Sequence, residues 1–280
     1  MCSRVIYYYQ TFNGLDKLLT HIDSVDVIIV SSIHFGLNID KTPYIHLNDF
    51  PPNNPKFNKV WKQLEFCSNN DTEILLMIGG AGGAFRDLFN LYTVYYKLLK
   101  MVILSKPFIK GIELDIEESV KLRDVKMLIR DLVNDFGDDF IITMAPICYS
   151  MINDYPGMGN FIYKDLYNSP EGKYISWFNV QSYGSFNEKT YKSIIKNGYP
   201  SEKIVMGMLW SDFDENTFNN ALETIKNIKI LYPDMAGIDI WEYYKAPPDK
   251  NDPSIWAKKI KEILTIYKQR EKFSIGCLLN

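Results

Sequence analysis

The sequence predicts an α/β fold, a single (β/α)8 TIM barrel, and three observations carry that expectation. Eight short β-branched or apolar runs alternate with longer amphipathic stretches, the pattern of βαβ units around a parallel sheet. The chain has 280 residues, within reach of the roughly 250 typical of such barrels. No glycine-rich dinucleotide fingerprint follows the first run, which argues against the alternative, an open doubly wound sheet.

In chain order, the strand runs are Arg4 to Tyr9, Asp26 to Ile33, Glu73 to Gly79, Ile109 to Ile116, Phe140 to Ala145, Trp177 to Ser182, Lys203 to Met208 and Gly237 to Trp241. Between them lie helical patterns at Leu15 to Ile22, Phe57 to Cys67, Leu88 to Leu104, Val120 to Phe136, Phe161 to Tyr167, Glu188 to Lys196, Thr217 to Leu231 and Ser254 to Gln269. The fourth shows the mechanism best: Leu122, Val125, Leu128, Ile129, Leu132 and Val133 form one apolar stripe, and Gly137 ends it. The stretch from Phe35 to Pro55, rich in Pro and Asn, reads as a long loop on the rim of a cleft. With no repeat, low-complexity segment or second domain in sight, residues 1–272 are assigned to the barrel and 273–280 to a C-terminal tail.

Composition narrows the function classes. Hydrophobic residues make up 46% of the chain and charged ones 23%, enough for an ordinary globular core. A net charge of -3 with scattered lysines offers no footprint for a phosphate backbone, so nucleic acid is excluded as a partner. The 19 Tyr and 5 Trp serve core packing or sugar stacking equally well. Cys2, Cys67, Cys148 and Cys277 lack the paired short spacing of zinc or redox motifs and read as free thiols. The opening MCSRVIYYYQ shows no export signal, and no apolar run reaches the roughly 18 residues of a membrane span. The final Cys277-Leu278-Leu279-Asn280 does not fit a prenylation box, because Asn is not a usual last residue. The expectation is a monomer without membrane association, acting in the cytoplasm or released or packaged without a classical signal.

The fourth strand carries the chemistry. In Ile109-Lys110-Gly111-Ile112-Glu113-Leu114-Asp115-Ile116-Glu117-Glu118, alternation puts Glu113, Asp115 and Glu117 on one face and Ile112, Leu114 and Ile116 on the other. If the apolar face packs under helices, three acids rise through the barrel interior toward its C-terminal mouth. Burying them together is expensive. A half-exposed antiparallel strand would show the same alternation; the neighbouring parallel-strand units favour the barrel.

This strand resembles the D-G-x-D-x-D-x-E signature of glycoside hydrolase family 18, the chitinase family. Gly111, Asp115 and Glu117 match it, while Lys110 and Glu113 replace two of its aspartates. Further stations are similar in order. The run from Leu75 to Gly83 resembles the third-strand S-x-G-G segment, with Met77 for Ser; Thr143-Met144-Ala145-Pro146 resembles the fifth-strand end lining the sugar site. Phe178 to Tyr183 resembles the sixth-strand F-x-x-V-Q-x-Y, and Gly237 to Trp241 the eighth-strand G-x-x-x-W. The likeness runs from Tyr7 and Gln10 to Trp241 and looks nearest to compact plant class III chitinases.

The resemblance implies a retaining, substrate-assisted hydrolase of β-1,4 linkages beside N-acetylglucosamine, acting on chitin or its oligosaccharides. It implies Glu117 as acid, Asp115 as holder of the acetamido N–H, Tyr183 as donor to the acetamido oxygen and Glu113 as their companion. It implies Trp241, Gln181, Met144, Tyr7, Gly79 and Gly80 as substrate-binding residues, and no metal or organic cofactor. Two other activities share the pattern: an endo-β-N-acetylglucosaminidase cutting the chitobiose core of N-glycans, and a chitinase-like lectin that binds without turnover. Glu113 is a methylene longer than the family Asp, and Gly184 stands where plant-type members carry Asn, so the acetamido contacts are expected to differ.

Overall fold

A computed structural model describes the backbone of residues 3–277 and side chains through residue 265. Its strands are β1 (Arg4–Tyr9), β2 (Val27–Leu37), β3 (Pro43–Leu47), β4 (Glu73–Gly79), β5 (Ile109–Asp115), β6 (Ile141–Met144), β7 (Ile175–Gln181), β8 (Ile204–Leu209) and β9 (Gly237–Trp241). All but β3 run parallel in the ring β1-β2-β4-β5-β6-β7-β8-β9, which closes because β1 pairs with both β2 and β9. The molecule is a TIM barrel in a single domain.

The helices are α1 (Asp16–Leu19), α2 (Asn58–Ser68), α3 (Ala84–Asn90), α4 (Tyr92–Leu104), α5 (Leu122–Phe136), α6 (Cys148–Ile152), α7 (Tyr163–Tyr167), α8 (Glu188–Lys196), α9 (Glu215–Leu231) and α10 (Ser254–Cys277). On α5 the buried stripe is Val125, Leu128, Ile129, Leu132 and Val133, and Gly137 closes the helix at φ +89°, its N–H donating to the Val133 carbonyl. These residues share one outer core with Ile112, Leu114 and Ile116 of the fourth ring strand. Each fully buried Leu or Ile there stabilises the fold by about 2 kcal/mol.

Three expectations change. The stretch from Phe35 to Pro55 is not one loop: β2 extends to Leu37 and folds back as β3, an antiparallel ladder from Ile33 opposite Leu47 to Leu37 opposite Pro43. Gly36 leaves room for the Tyr44 side chain across the ladder, whose hydroxyl a Cβ there would meet at 2.4 Å. The single helix expected over Leu88 to Leu104 starts earlier, at Ala84, and breaks at Leu91, whose φ of -127° and ψ of 47° are not helical. The last helix runs to Cys277 instead of ending at Gln269, so the segment read as a tail begins inside it. Met1, Cys2 and Leu278 to Asn280 lie outside the described residues, as does the side chain of Cys277, and with them the readings placed there.

Alternation along the ring strands stacks the barrel interior in tiers. Ile6, Val27, Ile29, Leu75, Trp177 and Val205 make an apolar floor. Above it lies an unusually polar tier of Tyr8, Met77, Glu113, Thr143, Asn179 and Asp239, all buried. The mouth tier, two residues further along each strand, carries Gly79, Asp115, Gln181 and Trp241.

Candidate active site

At the C-terminal mouth, a cavity of about 330 Å³ is lined by Asp115, Glu117, Gln181, Tyr183, Trp241, Gly79 and Gly80, with Gln10 and His34 at one side. The strand register builds it. β5 ends at Asp115, and Glu117 continues its alternation two residues past the strand, half-buried. The backbone of the β4–α3 turn presses against it: Gly80 N–H donates to the Asp115 carbonyl at 2.9 Å, and a Cβ at Gly79 would stand 2.1 Å from that oxygen. Gly79, at φ +99°, can therefore only be glycine. Glu118 fixes the other side of the turn, its carboxylate accepting from the N–H groups of Phe85 at 2.5 Å and Arg86 at 3.0 Å. An acid at the start of α3 suits the unsatisfied donors of a helix N-terminus.

The electrostatics follow from burial. Asp115 is held well above the ordinary carboxylate range by loss of water, then by the charges of Glu117, Glu113 and Glu118, against the opposing hydrogen bond from Gln181. Gln181 Nε2 donates to Asp115 Oδ1 at 3.1 Å and to the Ala145 carbonyl at 3.0 Å. Burial also raises Glu117, opposed by Gln181 and helped by Glu118. Glu113, wholly buried, is pushed up to about 7; the Asn179 amide at 2.7 Å and the nearby Tyr8 and Thr143 hydroxyls act against that rise. Burial and then Asp239, Asp115, Glu113 and Glu117 keep the Tyr183 phenol neutral, hence a donor. A half-buried carboxyl whose pKa is raised by burial, set beside a buried carboxyl and a phenolic donor, is suited to protonating a leaving group while an amide is held.

Trp241 forms one wall, its ring 5.3 Å from that of Tyr8. Behind it, Glu242 accepts from the N–H groups of Gln10 and Thr11, each at 3.0 Å, tying β9 to the end of β1. A second cavity of about 560 Å³ shares Gln10 and His34 with the first and extends over Asn48, Asp49, Lys56 and Phe57. Asn48 braces its wall, with Nδ2 donating to the Gln10 carbonyl at 3.1 Å and Oδ1 accepting from Ser32 N–H at 3.2 Å. The turn after β3 thus forms one arm of an extended cleft.

Of the residues singled out in the sequence, the structure gathers Glu117, Asp115, Tyr183, Gln181, Trp241, Gly79 and Gly80 around one cavity, with Glu113 in the tier beneath. Tyr7 and Met144 are corrections: both sit in the outer core, facing away from the cavity. Tyr7 donates its hydroxyl proton to the Pro253 carbonyl at 2.5 Å and packs on Trp256 and Tyr243. Alternation decides this, because the inward residues of those strands are Tyr8 and Thr143. Sequence reasoning also missed Asn179, Asp239 and Glu118. Counting back two residues from Gln181 and Trp241 finds the first two; Glu118 leaves no such signal. Cys67 and Cys148 are free thiols. Among the described residues, no His, Cys, Asp or Glu cluster is placed to hold a metal ion, and no helix is long and apolar enough to cross a membrane.

No protein-family model and no curated protein sequence matches the chain. Solved structures do. A fungal endo-β-N-acetylglucosaminidase of glycosyl hydrolase family 18 superposes with a TM-score of 0.78 at 26% identity, covering 93% of this chain and 97% of its own. A chitinase from Aspergillus fumigatus gives 0.79 at 26% identity, covering 92% and 98%. At 12% identity, a mutant family 18 chitinase from Cycas revoluta, in complex with (GlcNAc)4, shares the fold with a TM-score of 0.63 over 93% of this chain and 99% of its own. The chain thus matches family 18 chitinases and an endo-β-N-acetylglucosaminidase over more than nine tenths of its length and has the glycoside hydrolase fold of that family.

Proposed function

We propose that the chain is a retaining glycosidase that hydrolyses β-1,4 linkages beside N-acetylglucosamine in chitin or its oligosaccharides, with the substrate's acetamido group as nucleophile. One observation carries this reading: Glu117, Asp115, Tyr183 and Trp241 line a single cavity sized for one sugar ring at the mouth of a barrel. Glu117 donates its proton to the glycosidic oxygen as the acetamido oxygen attacks its own anomeric carbon, so the leaving sugar departs neutral and an oxazolinium ion forms. Asp115 accepts the acetamido N–H and offsets the positive charge, while Tyr183 donates to the acetamido oxygen. Glu117 then takes a proton from water, which opens the ring with retained configuration. Gln181 holds Asp115 in place, and Trp241 stacks against the sugar face.

The second cavity supports a substrate longer than one residue, because it continues the cleft from Gln10 and His34. Cleavage of an N-glycan chitobiose core is a second reading, favoured by the match to the fungal endo-β-N-acetylglucosaminidase. Retention of Glu117 argues against a lectin without turnover. The test is product analysis on a chitin hexamer and on a high-mannose glycoprotein, with wild type and Glu117→Gln. The variant is expected to lose about 10³-fold or more in kcat while still binding the oligosaccharide. Full turnover by Glu117→Gln would refute the assignment.

A further inference from the structure

The polar tier beneath the site holds an acid that the proposed mechanism does not use. Asp239 lies on β9 two residues before Trp241, pointing inward, and is buried. Its carboxyl lies against Gly207 of the adjacent strand β8: a Cβ there would meet the Val180 carbonyl at 2.7 Å first, then Oδ1 at 3.0 Å and Oδ2 at 3.1 Å. Oδ2 has no hydrogen-bond partner among the described residues.

The groups around it offer no compensating charge. β8 presents Gly207, β1 presents Tyr8, β4 Met77 and β6 Thr143. β5 contributes Glu113 and, above, Asp115; β7 contributes Asn179, with Tyr183 beyond its end. Arg4 is at the floor, its guanidinium 4.1 Å from the ring centroid of Trp177. Glu113 Oε2 and Thr143 Oγ1 in the same tier likewise make no hydrogen bond of normal geometry, although the Tyr8 and Thr143 hydroxyls stand close enough to favour the ionised form of Glu113. A carboxylate buried without donors or a counter-charge costs several kcal/mol, so such groups take up a proton instead.

We propose that Asp239 is a positioning residue of the site: it keeps its proton at neutral pH, so that Glu113 is the one carboxyl in the tier beneath Asp115 that can carry charge. Oδ2 of Asp239 and Oε2 of Glu113 make no direct hydrogen bond to each other, so a proton of Asp239 reaches Glu113 through a bridging water. Burial and then the charge of Glu113 push Asp239 well above the ordinary range, in keeping with this geometry. Gly207 leaves room for both the Val180 carbonyl and the Asp239 carboxyl, which in its protonated form is a neutral donor.

The proposal rests on the hydrolase reading only for its consequence at Asp115, and its test does not need turnover. Infrared difference spectra of wild type minus Asp239→Asn, recorded at pH 7 in light and heavy water, report which form of the carboxyl has been removed. Loss of a protonated carboxylic C=O band that shifts in heavy water is expected; loss of an ionised carboxylate band instead overturns the proposal. If Asp239→Asn does not fold, Gly207→Ala, which crowds the same carboxyl, is compared with wild type in the same way: a shifted protonated band supports the proposal, a shifted carboxylate band refutes it. Should hydrolysis be established, Asp239→Asn, neutral and a donor like the protonated acid, is expected to keep kcat/KM within about threefold of wild type at pH 7. Asp239→Leu, which removes the donor, is expected to shift the pH profile. A Leu variant with reduced activity but an unmoved profile would mean a merely structural role. An inactive wild type sinks the hydrolase reading but leaves the infrared result standing.

Discussion

Replacing Glu113 by Gln tests the electrostatics of the barrel interior most directly, because the size and sign of the effect can be worked out in advance. Glu113 is wholly buried, and its pKa rises from an ordinary 4.5 to about 7. A group whose folded pKa is raised contributes stability that is fully present below its unfolded value and is lost as pH climbs through the folded one. Here the window is pH 4.5 to about 7, and at 1.36 kcal/mol per pKa unit the loss is about 3 kcal/mol. Glutamine cannot ionise, so the variant escapes that loss while keeping an oxygen to accept the Asn179 hydrogen bond. Relative to wild type, Glu113→Gln should gain about 3 kcal/mol between pH 4.5 and pH 7.5, or roughly 6 °C in Tm for a chain of this size. Thermal unfolding of both proteins at the two pH values measures it. A Tm difference between variant and wild type that is the same at both pH values would refute the reasoning.

Two further outcomes follow from the mouth of the barrel. Glu118→Ala removes the acceptor for two N–H groups at the start of α3 and should cost about 1–2 kcal/mol, a fall of roughly 3 °C in Tm; kcat/KM should drop with it as the Gly79–Gly80 turn loosens, and Glu118→Gln should restore part of both. An unchanged melting curve for Glu118→Ala would show that the carboxylate does not hold the turn. Trp241→Ala should raise KM and lower kcat/KM about 10- to 100-fold, with Trp241→Phe recovering most of it; steady-state kinetics on chitooligosaccharides showing equal KM values for the Ala variant and wild type would remove Trp241 from the sugar site.

The ring strands and the acid face of the fourth one were legible because periodicity reports burial directly. Ile112, Leu114 and Ile116 against Glu113, Asp115 and Glu117 is a pattern that only two different environments on the two faces can maintain. Tyr7 and Met144 show where likeness to a motif is a weaker guide than phase. Both sit one residue out of register with inward neighbours, and in a strand a shift of one reverses the direction of the side chain. Asn179 and Asp239 were within reach of the same rule. The β2–β3 hairpin was hidden by Pro43 and the asparagines around it, which read as loop residues although proline is admissible at the first position of an outer strand. The break at Leu91 has neither Gly nor Pro to announce it, and Glu118 acts on a loop more than thirty positions earlier in the chain.

Ring closure at β1 bears on how the chain comes off the ribosome. The barrel's first strand finds one of its two neighbours early, in β2, but its other neighbour, Gly237–Trp241, emerges more than two hundred residues later. Until then the nascent protein carries a bare ladder of amide and carbonyl groups on β1, an invitation to pair with another chain. Sealing it is a contact of very long range, a kind that slows folding.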